Sequence, residues 1–383
     1  MTIILFDTPK SRQSLYPFTS TRPVCDLRHG ICTIREKWER LTGFPVYAFT
    51  ESHLQEWADD GHTWMFVDAT VIPTPEWVTS VLTLEPNSAF VHAGEVIALN
   101  TKYYLSYPVV LDPSVKRMEL PAVNTLQFPW QLFQTNETAI RSDYELITKG
   151  RKSQPIDPSN VCFGIESIFI EPGAVVRACI INAEEGPVYI GEDALVMEGT
   201  TIRGPVSIGE NSVIKMGAKL YAGTTIGPKC TAGGEIKNSI LMGYCNKAHD
   251  GYLGDSVIGE WCNLGAGTSN SNVKNTAGTV KMWSNTEQAL VPVGVKAGLL
   301  MGDYSRAAIN TSFNTGTVVG ACCNVIATGF PPKHIPSFTW GIEPYDIEKA
   351  LADIRRWMKM KGMQMNENGE RIIRVAYQNQ SGR

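Results

Sequence analysis

Residues between positions 235 and 272 have side chains suited to acyl transfer. Near neutral pH, His249 can accept a proton from an amine or hydroxyl that attacks a carbonyl. Glu235, about one repeat earlier, can orient the imidazole. Lys237 can neutralise a substrate phosphate. These three side chains predict a general base, its support and a phosphate contact.

Four further residues suit a sugar and a developing negative charge. Tyr252 and Asn263 offer hydrogen bonds to sugar hydroxyls, and Asn272 or a backbone N–H can stabilise an oxyanion. Ala266 lies between two glycines, which permit close backbone approach by a ligand. Each residue also has a structural interpretation, such as a packed histidine, an asparagine ladder or a glycine corner. The prediction of a site therefore depends on the clustering of these residues and not on any one of them.

A six-residue repeat must position these residues. Six is a multiple of the strand period of two and is not a helical period. A fixed six-residue repeat with turn glycines is typical of a parallel β-helix, in which three steps make one triangular coil and many coils stack. The aliphatic series consists of Ile190, Val196, Ile202, Ile208, Ile214, Leu220 and Ile226.

The phase of the repeat breaks beside Gly233 and Gly234. We expect two extra residues there, after which Ile240, Asn246, Tyr252, Ile258 and Leu264 would point inward. His249, three places after Asn246, would then face outward. Because the poorest inward residues fall beside the candidate site, the break indicates function, with a bulge of no role as the alternative.

Four segments follow from these patterns: an α/β domain over 1–150, a linker over 151–164, the β-helix over 165–330 and a C-terminal segment over 331–383. A polar loop over 271–288 should leave the repeat, and Gly329-Phe-Pro-Pro332 should end it. Apolar spacing predicts an amphipathic helix over 344–360, with no regular structure after Gly362. The second inward series would be Val295, Met301, Ala307, Phe313, Val319 and Val325.

The first 150 residues alternate strand and helix signals, which favours a mainly parallel sheet. Strands are predicted over 3–6, 46–49, 64–67, 89–91 and 96–99, with helices after Thr33, after Thr74 and over 130–148. Asp68, after the third strand, is a candidate Mg²⁺ ligand. The candidate phosphate-binding cations are Arg12, Arg22, Arg28 and Lys37, with Lys10 nearby.

Composition narrows the class of protein. The net charge of -4 provides no basic field for nucleic acid. No apolar run reaches the roughly 18 residues that a membrane span needs, and the first residues read as a strand and not as a signal peptide. The 9 cysteines form no CxxC pair, so we expect reduced thiols in a cytoplasmic protein.

The run from Glu235-Ile-Lys237 through His249 and Tyr252-Leu-Gly-Asp255 to Asn263-Leu-Gly-Ala-Gly-Thr268 and Asn272 resembles a known domain. The domain that it resembles is the acetyltransferase domain of the bifunctional N-acetylglucosamine-1-phosphate uridylyltransferase/glucosamine-1-phosphate N-acetyltransferase family. Nearly the whole chain looks like the shorter, Bacteroidetes-type sugar nucleotidyltransferases of that family. The hallmark stretches are Thr21-Arg-Pro-Val-Cys-Asp-Leu-Arg-His-Gly30, Asn246-Lys-Ala-His-Asp-Gly251 and Gly302-Asp-Tyr-Ser-Arg-Ala-Ala-Ile-Asn310.

The resemblance implies a left-handed β-helix that forms a homotrimer, with acetyl-CoA bound between subunits. Carried over by position, His249 is the general base and Glu235 supports it. Lys237 and Tyr252 hold the sugar phosphate. The remaining implied contacts are Asn263 to the sugar, and Ala266 and Asn272 to the acetyl donor. The family's tyrosine after the last asparagine is Val273 here, which puts the acyl-site contacts in doubt.

The resemblance also implies a nucleotidyltransferase in the first domain, using Mg²⁺ and UTP, although the family's glycine-rich loop is missing. Three functions therefore stay open. The first is acetyl transfer from acetyl-CoA to the amine of glucosamine 1-phosphate or a related hexosamine phosphate, joined or not to uridylyl transfer, in the synthesis of the cell-wall precursor UDP-N-acetylglucosamine. The second is a sugar-1-phosphate nucleotidyltransferase, using UTP or dTTP, whose β-helix serves only for assembly. The third is a non-catalytic scaffold that binds nucleotide sugars.

Overall fold

A computed structural model describes residues 2–56, 64–103 and 105–381. Its N-terminal unit is one six-stranded sheet with helices packed against it. The elements of this unit are β1 (Thr2–Phe6), α1 (Pro9–Ser14), α2 (Ile34–Thr42), β2 (Val46–Phe49), β3 (Trp64–Asp68), α3 (Pro75–Leu82), β4 (Ser88–His92), β5 (Glu95–Thr101), β6 (Lys116–Glu119), α4 (Gln131–Gln134) and α5 (Asn136–Thr148).

The sheet is mainly parallel, as predicted: of the six described strands, five run in one direction and β5 runs against them. The strand order is β2-β1-β3-β5-β4-β6. Strand β1 runs parallel to β2 and β3, whereas β5 runs antiparallel to β3 and β4. The reason is the turn at Ala93 and Gly94, both with positive φ, which reverses the chain directly into the next strand.

The second unit is a stack of coils made from very short strands. Its first strands are β7 (Val161–Phe163), β8 (Ile168–Ile170), β9 (Val175–Val176), β10 (Ile180–Asn182), β11 (Val188–Ile190), β12 (Leu195–Val196), β13 (Thr201–Arg203), β14 (Val206–Ile208), β15 (Val213–Ile214), β16 (Lys219–Leu220), β17 (Thr224–Ile226) and β18 (Thr231–Ala232). A single-turn 3-10 helix, Ile165–Ser167, precedes β8.

The later coils hold the longest strands and an antiparallel hairpin. The remaining elements are β19 (Glu235–Leu241), β20 (Asn246–Lys247), β21 (Tyr252–Ile258), β22 (Asn263–Leu264), β23 (Ser269–Asn270), β24 (Val280–Ser284), β25 (Ala289–Gly294), β26 (Leu299–Met301), β27 (Arg306–Ala307), β28 (Ser312–Phe313), β29 (Thr317–Val319), β30 (Asn324–Val325), β31 (His334–Ile335), β32 (Thr339–Trp340), β33 (Glu343–Pro344), α6 (Ile347–Met360) and α7 (Glu367–Ser381).

The coil strands stack in parallel into three faces, which confirms the parallel β-helix. The first face holds β7, β10, β13, β16 and the starts of β19 and β21. The second face holds β8, β11, β14, β17, the ends of β19 and β21, then β26, β29 and β31. The third face holds β9, β12, β15, β18, β20, β22, β27, β30 and β32. All seven aliphatic residues of the predicted series lie in one buried core inside the coils. The left-handed winding stays a prediction from the resemblance.

The phase break is a shortening of the coil and not the expected insertion. Leu220 pairs with Ile236, sixteen residues on, and Ile226 pairs with Leu241, fifteen residues on, where regular coils take eighteen. Gly233 makes this tight corner possible, because a Cβ there would lie 2.5 Å from a backbone oxygen. The inward residues are therefore shifted from those predicted.

The shift moves three of the five predicted inward positions by one residue, whereas Ile258 and Leu264 lie in the coil core as predicted. Leu241 and Leu253 belong to the coil core, and the residue paired with inward Ala232 is Lys247. Asn246 and Tyr252 are therefore not inward residues, because alternate positions of a strand point to opposite faces.

The second series is confirmed from Met301 onward, but Val295 is 59% exposed and lies after β25. The predicted loop over 271–288 contains β24, the first strand of the hairpin. Nor does the coil end at Pro332, because β31 and β32 add a further partial turn with Ile335 buried inside it.

The N-terminal unit covers the second face of the coil. Outward side chains of that face, Ile240, Val257 and Leu300, share one buried cluster with Leu132 and Phe133. The two units are therefore joined by a continuous apolar interface, and burial of this kind contributes about 25 cal/mol per Å² of apolar surface. The first face is left uncovered by this unit, and so is the third face, whose late coils instead contact α6, where Arg306 lies over the ring of Trp357.

The C-terminal segment is helical almost to its end. Helix α6 was predicted, whereas α7 was not, because residues after Gly362 were expected to lack regular structure. Arg374 of α7 is ion-paired with Glu348 and Glu370, and Ile373 is buried among residues of α6 and the last coils. No helix in the described ranges is long and apolar enough to cross a membrane.

Candidate functional site

His249 lies on the corner that joins the third face to the first, between β20 and β21. It is exposed, as predicted, although the register differs from the predicted one. Ala266 lies on the corresponding corner one coil further on, between β22 and β23. The corners stack closely: a Cβ on Gly251 would lie 2.1 Å from the Thr268 carbonyl oxygen. The predicted general base, His249, and a small-residue corner thus lie on neighbouring coils.

The first face brings Glu235, Lys237 and Tyr252 together beside this corner. Glu235 pairs with Tyr252 across β19 and β21, and exposed Lys237 pairs with Gly254. The Glu235 N–H donates to the Gly251 carbonyl at 3.2 Å, which fixes the end of the His249 corner. Within the described residues, no hydrogen bond joins the Glu235 carboxylate to the imidazole. The supporting role of Glu235 stays a prediction.

The Tyr252 ring lies against Gly254, where a Cβ would be only 2.2 Å from the phenol oxygen. Asn272 Nδ2 donates to this oxygen at 3.1 Å and to Asp255 Oδ2 at 2.5 Å. Burial, and secondarily the nearby Asp255 carboxylate, raise the pKa of Tyr252 to about 12. The phenol therefore keeps its proton at neutral pH and can donate it to a substrate oxygen.

Asp255 is a site residue to which sequence reasoning assigned no role. It is buried and accepts hydrogen bonds from the side-chain amides of Asn272 and, at 2.7 Å, Asn238. Both N–H bonds of the Asn272 amide are therefore used within the chain. The oxyanion role predicted for Asn272 stays a prediction and would require this amide to turn.

Asn263 lies on the third face in an asparagine ladder. Its side-chain oxygen accepts from Asn246 Nδ2 at 2.8 Å, one coil below. This ladder is the structural alternative that the sequence left open for Asn263, and it places a row of amides beside the His249 corner. A sugar contact by Asn263 stays a prediction.

Lys247 is the second residue that sequence reasoning missed. It is 2% exposed, and its amine donates to the carbonyl oxygens of Gly233 at 2.9 Å and His249 at 3.0 Å. Burial lowers the pKa of Lys247 to about 8. An inward lysine could have been found only with the correct register, because the predicted register turned this side chain outward.

The four candidate phosphate-binding cations are buried and have partners within the chain. Arg12 contacts Asp7 at 3.0 Å and donates to the Thr19 carbonyl at 2.5 Å. Arg22 contacts Asp303 and Glu260 of the coil, Arg28 donates to the Met242 carbonyl, and Lys37 contacts Asp143. Their donors therefore have structural uses, and phosphate binding by them stays a prediction. Lys10 is exposed and paired with Glu95.

Asp68 ends β3, directly opposite the end of β1. One of its oxygens accepts from the Thr70 N–H at 2.8 Å, and burial raises its pKa to about 6. Neighbouring Asp7 is occupied by Arg12 and Thr50. The described ranges contain no group of three or more His, Cys, Asp or Glu residues that could hold a metal ion. A Mg²⁺ ion here would depend on Asp68 and on substrate phosphates.

Comparison with known proteins identifies two parts of the chain. Residues 3–152 match the family model described as sugar nucleotidyl transferase, and residues 187–222 match the bacterial transferase hexapeptide, six repeats. The bifunctional protein GlmU of Methanocaldococcus jannaschii is 36% identical over 106 residues, which are 28% of this chain and 26% of that protein. The bifunctional sugar-1-phosphate nucleotidylyltransferase/acetyltransferase of Sulfurisphaera tokodaii is 38% identical over 144 residues, 37% of this chain and 35% of that protein.

One similar solved structure is the UDP-N-acetylglucosamine acyltransferase from Campylobacter jejuni, with 14% identity and a TM-score of 0.26 over 58% of this chain and 95% of that one. The chain spans about a quarter to a third of the length of the two relatives above. Both are named as bifunctional proteins, and the second name states the two transfer activities. The chain thus consists of an N-terminal domain that matches the sugar nucleotidyl transferase model, a β-helix that contains matching bacterial transferase hexapeptide repeats, and two C-terminal helices.

Proposed function

We propose that this protein transfers an acetyl group from acetyl-CoA to the amine of glucosamine 1-phosphate or a closely related hexosamine phosphate. The observation that carries the proposal is the exposed His249 corner, flanked by Lys237, Tyr252 and Ala266 on adjoining coils. A base, a cation and a hydroxyl donor within two coils match the needs of an amino sugar phosphate. The acetyltransferase name of one relative supports the same reaction.

In this reaction the sugar amine attacks the thioester carbonyl, and His249 accepts the proton that the nitrogen loses. The tetrahedral intermediate collapses by breaking the carbon–sulfur bond, and the departing thiolate of CoA takes up a proton. Lys237, exposed on the first face, neutralises the sugar phosphate. Tyr252 donates its phenolic proton to a sugar oxygen. Asn263 faces the sugar from the third face, and Ala266 lets the acyl donor approach the backbone.

The acyl donor is proposed to bind in a seam between copies of this chain in a homotrimer. Large apolar side chains on the first and third faces and their corners are exposed, among them Phe163, Val175, Ile180, Met216 and Ile309. Val161 and Phe163 of β7 and Ile180 of β10 adjoin, and a contiguous exposed apolar patch of this kind marks an interaction site. Light scattering should give a particle mass of three chains. A mass of one chain would contradict a binding site between copies of the chain.

A His249→Ala variant tests the base. We expect it to keep the melting temperature and assembly of the wild type and to lose at least about 100-fold in acetyl transfer, the lower range for general base catalysis. The assay follows thiol release from acetyl-CoA with glucosamine 1-phosphate. Asp250→Asn, which alters an exposed neighbour on the same corner, is the matched control and should stay active. Undiminished turnover by His249→Ala would refute the mechanism.

Nucleotidyl transfer is the second candidate, and the match of residues 3–152 favours it. It would join UTP or dTTP to the sugar 1-phosphate with release of pyrophosphate, forming UDP-N-acetylglucosamine in the UTP case. Asp68 would hold Mg²⁺, whose chemistry is to neutralise the nucleotide phosphates. Pyrophosphate and thiol release should be followed separately. Release of pyrophosphate without thiol would indicate that the β-helix serves only for assembly. A ligand-dependent shift in melting temperature, with neither product released, would indicate a non-catalytic scaffold.

The proposed location is the cytoplasm. Every cysteine is a free thiol and eight of the nine are buried, as expected in a reducing compartment. No partner other than its small-molecule substrates and copies of itself is proposed.

A further inference from the structure

Lys247 is the one charged side chain inside an otherwise apolar column of the coil. The inward column of the third face contains Val196, Ile214, Ala232, Leu264 and Ala307, all in the coil core. Lys247 pairs with Ala232 and is 2% exposed. A methionine would fill a similar volume without the cost of removing an amine from water. The amine must therefore have a role other than filling space in the core.

The shortened corner makes room for the amine. A Cβ on Gly234 would lie 3.0 Å from Lys247 Nζ and 3.0 Å from the His249 carbonyl oxygen. Any residue larger than glycine would crowd the contact between the two corners. The two glycines that shorten the coil are thus the same residues that admit the lysine head group.

The amine joins two successive corners through their backbone. It donates to the carbonyl oxygens of Gly233 at 2.9 Å and of His249 at 3.0 Å. Two backbone hydrogen bonds flank this contact, from the Gly233 N–H to the Lys247 carbonyl at 2.7 Å and from the Glu235 N–H to the Gly251 carbonyl at 3.2 Å. The imidazole of His249 has no hydrogen bond to the rest of the described chain. The hydrogen bond from Lys247 is thus the one that reaches His249 itself among the described contacts, and it comes from inside the coil.

We infer that Lys247 is a positioning residue for His249: its amine, inside the coil, fixes the corner that presents the imidazole to the substrate amine. The kinetic consequence of this inference rests on the proposed function. Its structural consequence rests on the hydrogen bonds alone. Misplacement of a catalytic group by about 1 Å can cost about 100-fold in rate, whereas substrate contacts made by Lys237 and Tyr252 would persist.

The test is a Lys247→Met variant of the full chain, with Lys149→Met as control for loss of one exposed lysine. We expect kcat to fall about 10- to 100-fold with the KM for both substrates within about twofold of wild type. The pH at which activity rises should not move, because His249 remains the base. Hydrogen exchange of the Glu235 amide should become faster, while the Val213 amide, bonded to the Cys230 carbonyl, should not change.

Two results would overturn the inference: a kcat within twofold of wild type, or an unchanged exchange rate at Glu235 in the variant. Failure of the proposed function is a different result, since wild-type protein would then release no thiol from acetyl-CoA. In that case the exchange rates alone still decide whether Lys247 fixes the His249 corner.

Discussion

Arg22 of the N-terminal unit and Asp303 of the coil form a buried ion pair, with Arg22 Nη2 2.7 Å from Asp303 Oδ2. Arg22 also contacts Glu260 at 3.2 Å. Removing the guanidinium would leave the Asp303 and Glu260 carboxylates in the interface without their ion-pair partner. We expect Arg22→Met to lower the free energy of unfolding by about 3–5 kcal/mol, measured by denaturant titration.

The exposed pair of Lys10 and Glu95 is the control for Arg22. Lys10→Met should change the free energy of unfolding by less than about 1 kcal/mol, because exposed ion pairs contribute little. Equal effects of the two substitutions would contradict a stabilising role for the interface pair.

Gly254→Ala should disturb the site while leaving the coil folded. The new Cβ would lie 2.2 Å from the Tyr252 phenol oxygen, so the ring must move and its hydrogen bond from Asn272 must break. We expect the KM for the sugar phosphate to rise about tenfold, which corresponds to about 1.4 kcal/mol of binding. Gly243→Ala is the matched control, because its nearest contact would be 3.4 Å. A normal KM in Gly254→Ala would argue against substrate binding by Tyr252.

Lys247 should make stability depend on pH in the alkaline range. Its folded-state pKa is about 8, below the ordinary value of about 10.4. Between these values the unfolded chain holds a proton that the folded chain has lost, so stability gains from rising pH. Below about 8 the folded chain carries the cost of the buried cation.

The comparison of wild type with Lys247→Met isolates this group. From pH 7 to about pH 9.5 the wild type should gain about 2 kcal/mol of unfolding free energy relative to the variant. Denaturant titrations of both proteins at several pH values provide the measurement. Parallel pH profiles would show that the lysine titrates normally.

Arg12 offers a direct test of the predicted nucleotide site. Because its donors are used by Asp7, Thr19 and Thr50, Arg12→Met should destabilise the protein by about 3–5 kcal/mol. Arg40→Met, on the exposed side of α2, should not. The measurements are denaturant titration and the melting shift caused by UTP. A stable Arg12→Met protein that no longer responds to UTP would favour the phosphate-binding role.

The sequence by itself determined the repeat, the β-helix and the outward corner with His249. Local periodicity is sufficient for these, since each six-residue step must bury its own aliphatic residue against its neighbours. Helix starts at Thr33 and Thr74 were also readable, because a capping side chain contacts N–H groups only three residues away.

Tertiary structure alone decided the register beyond Gly233, the partners of the N-terminal cations and the inward direction of Lys247. Each depends on contacts between residues far apart in the chain, such as Arg22 with Asp303, or on whether a corner gains or loses residues. A one-residue change of register exchanges the two sides of a strand. The sequence pattern allowed both alternatives at that corner, and stacking against the coil below selected one.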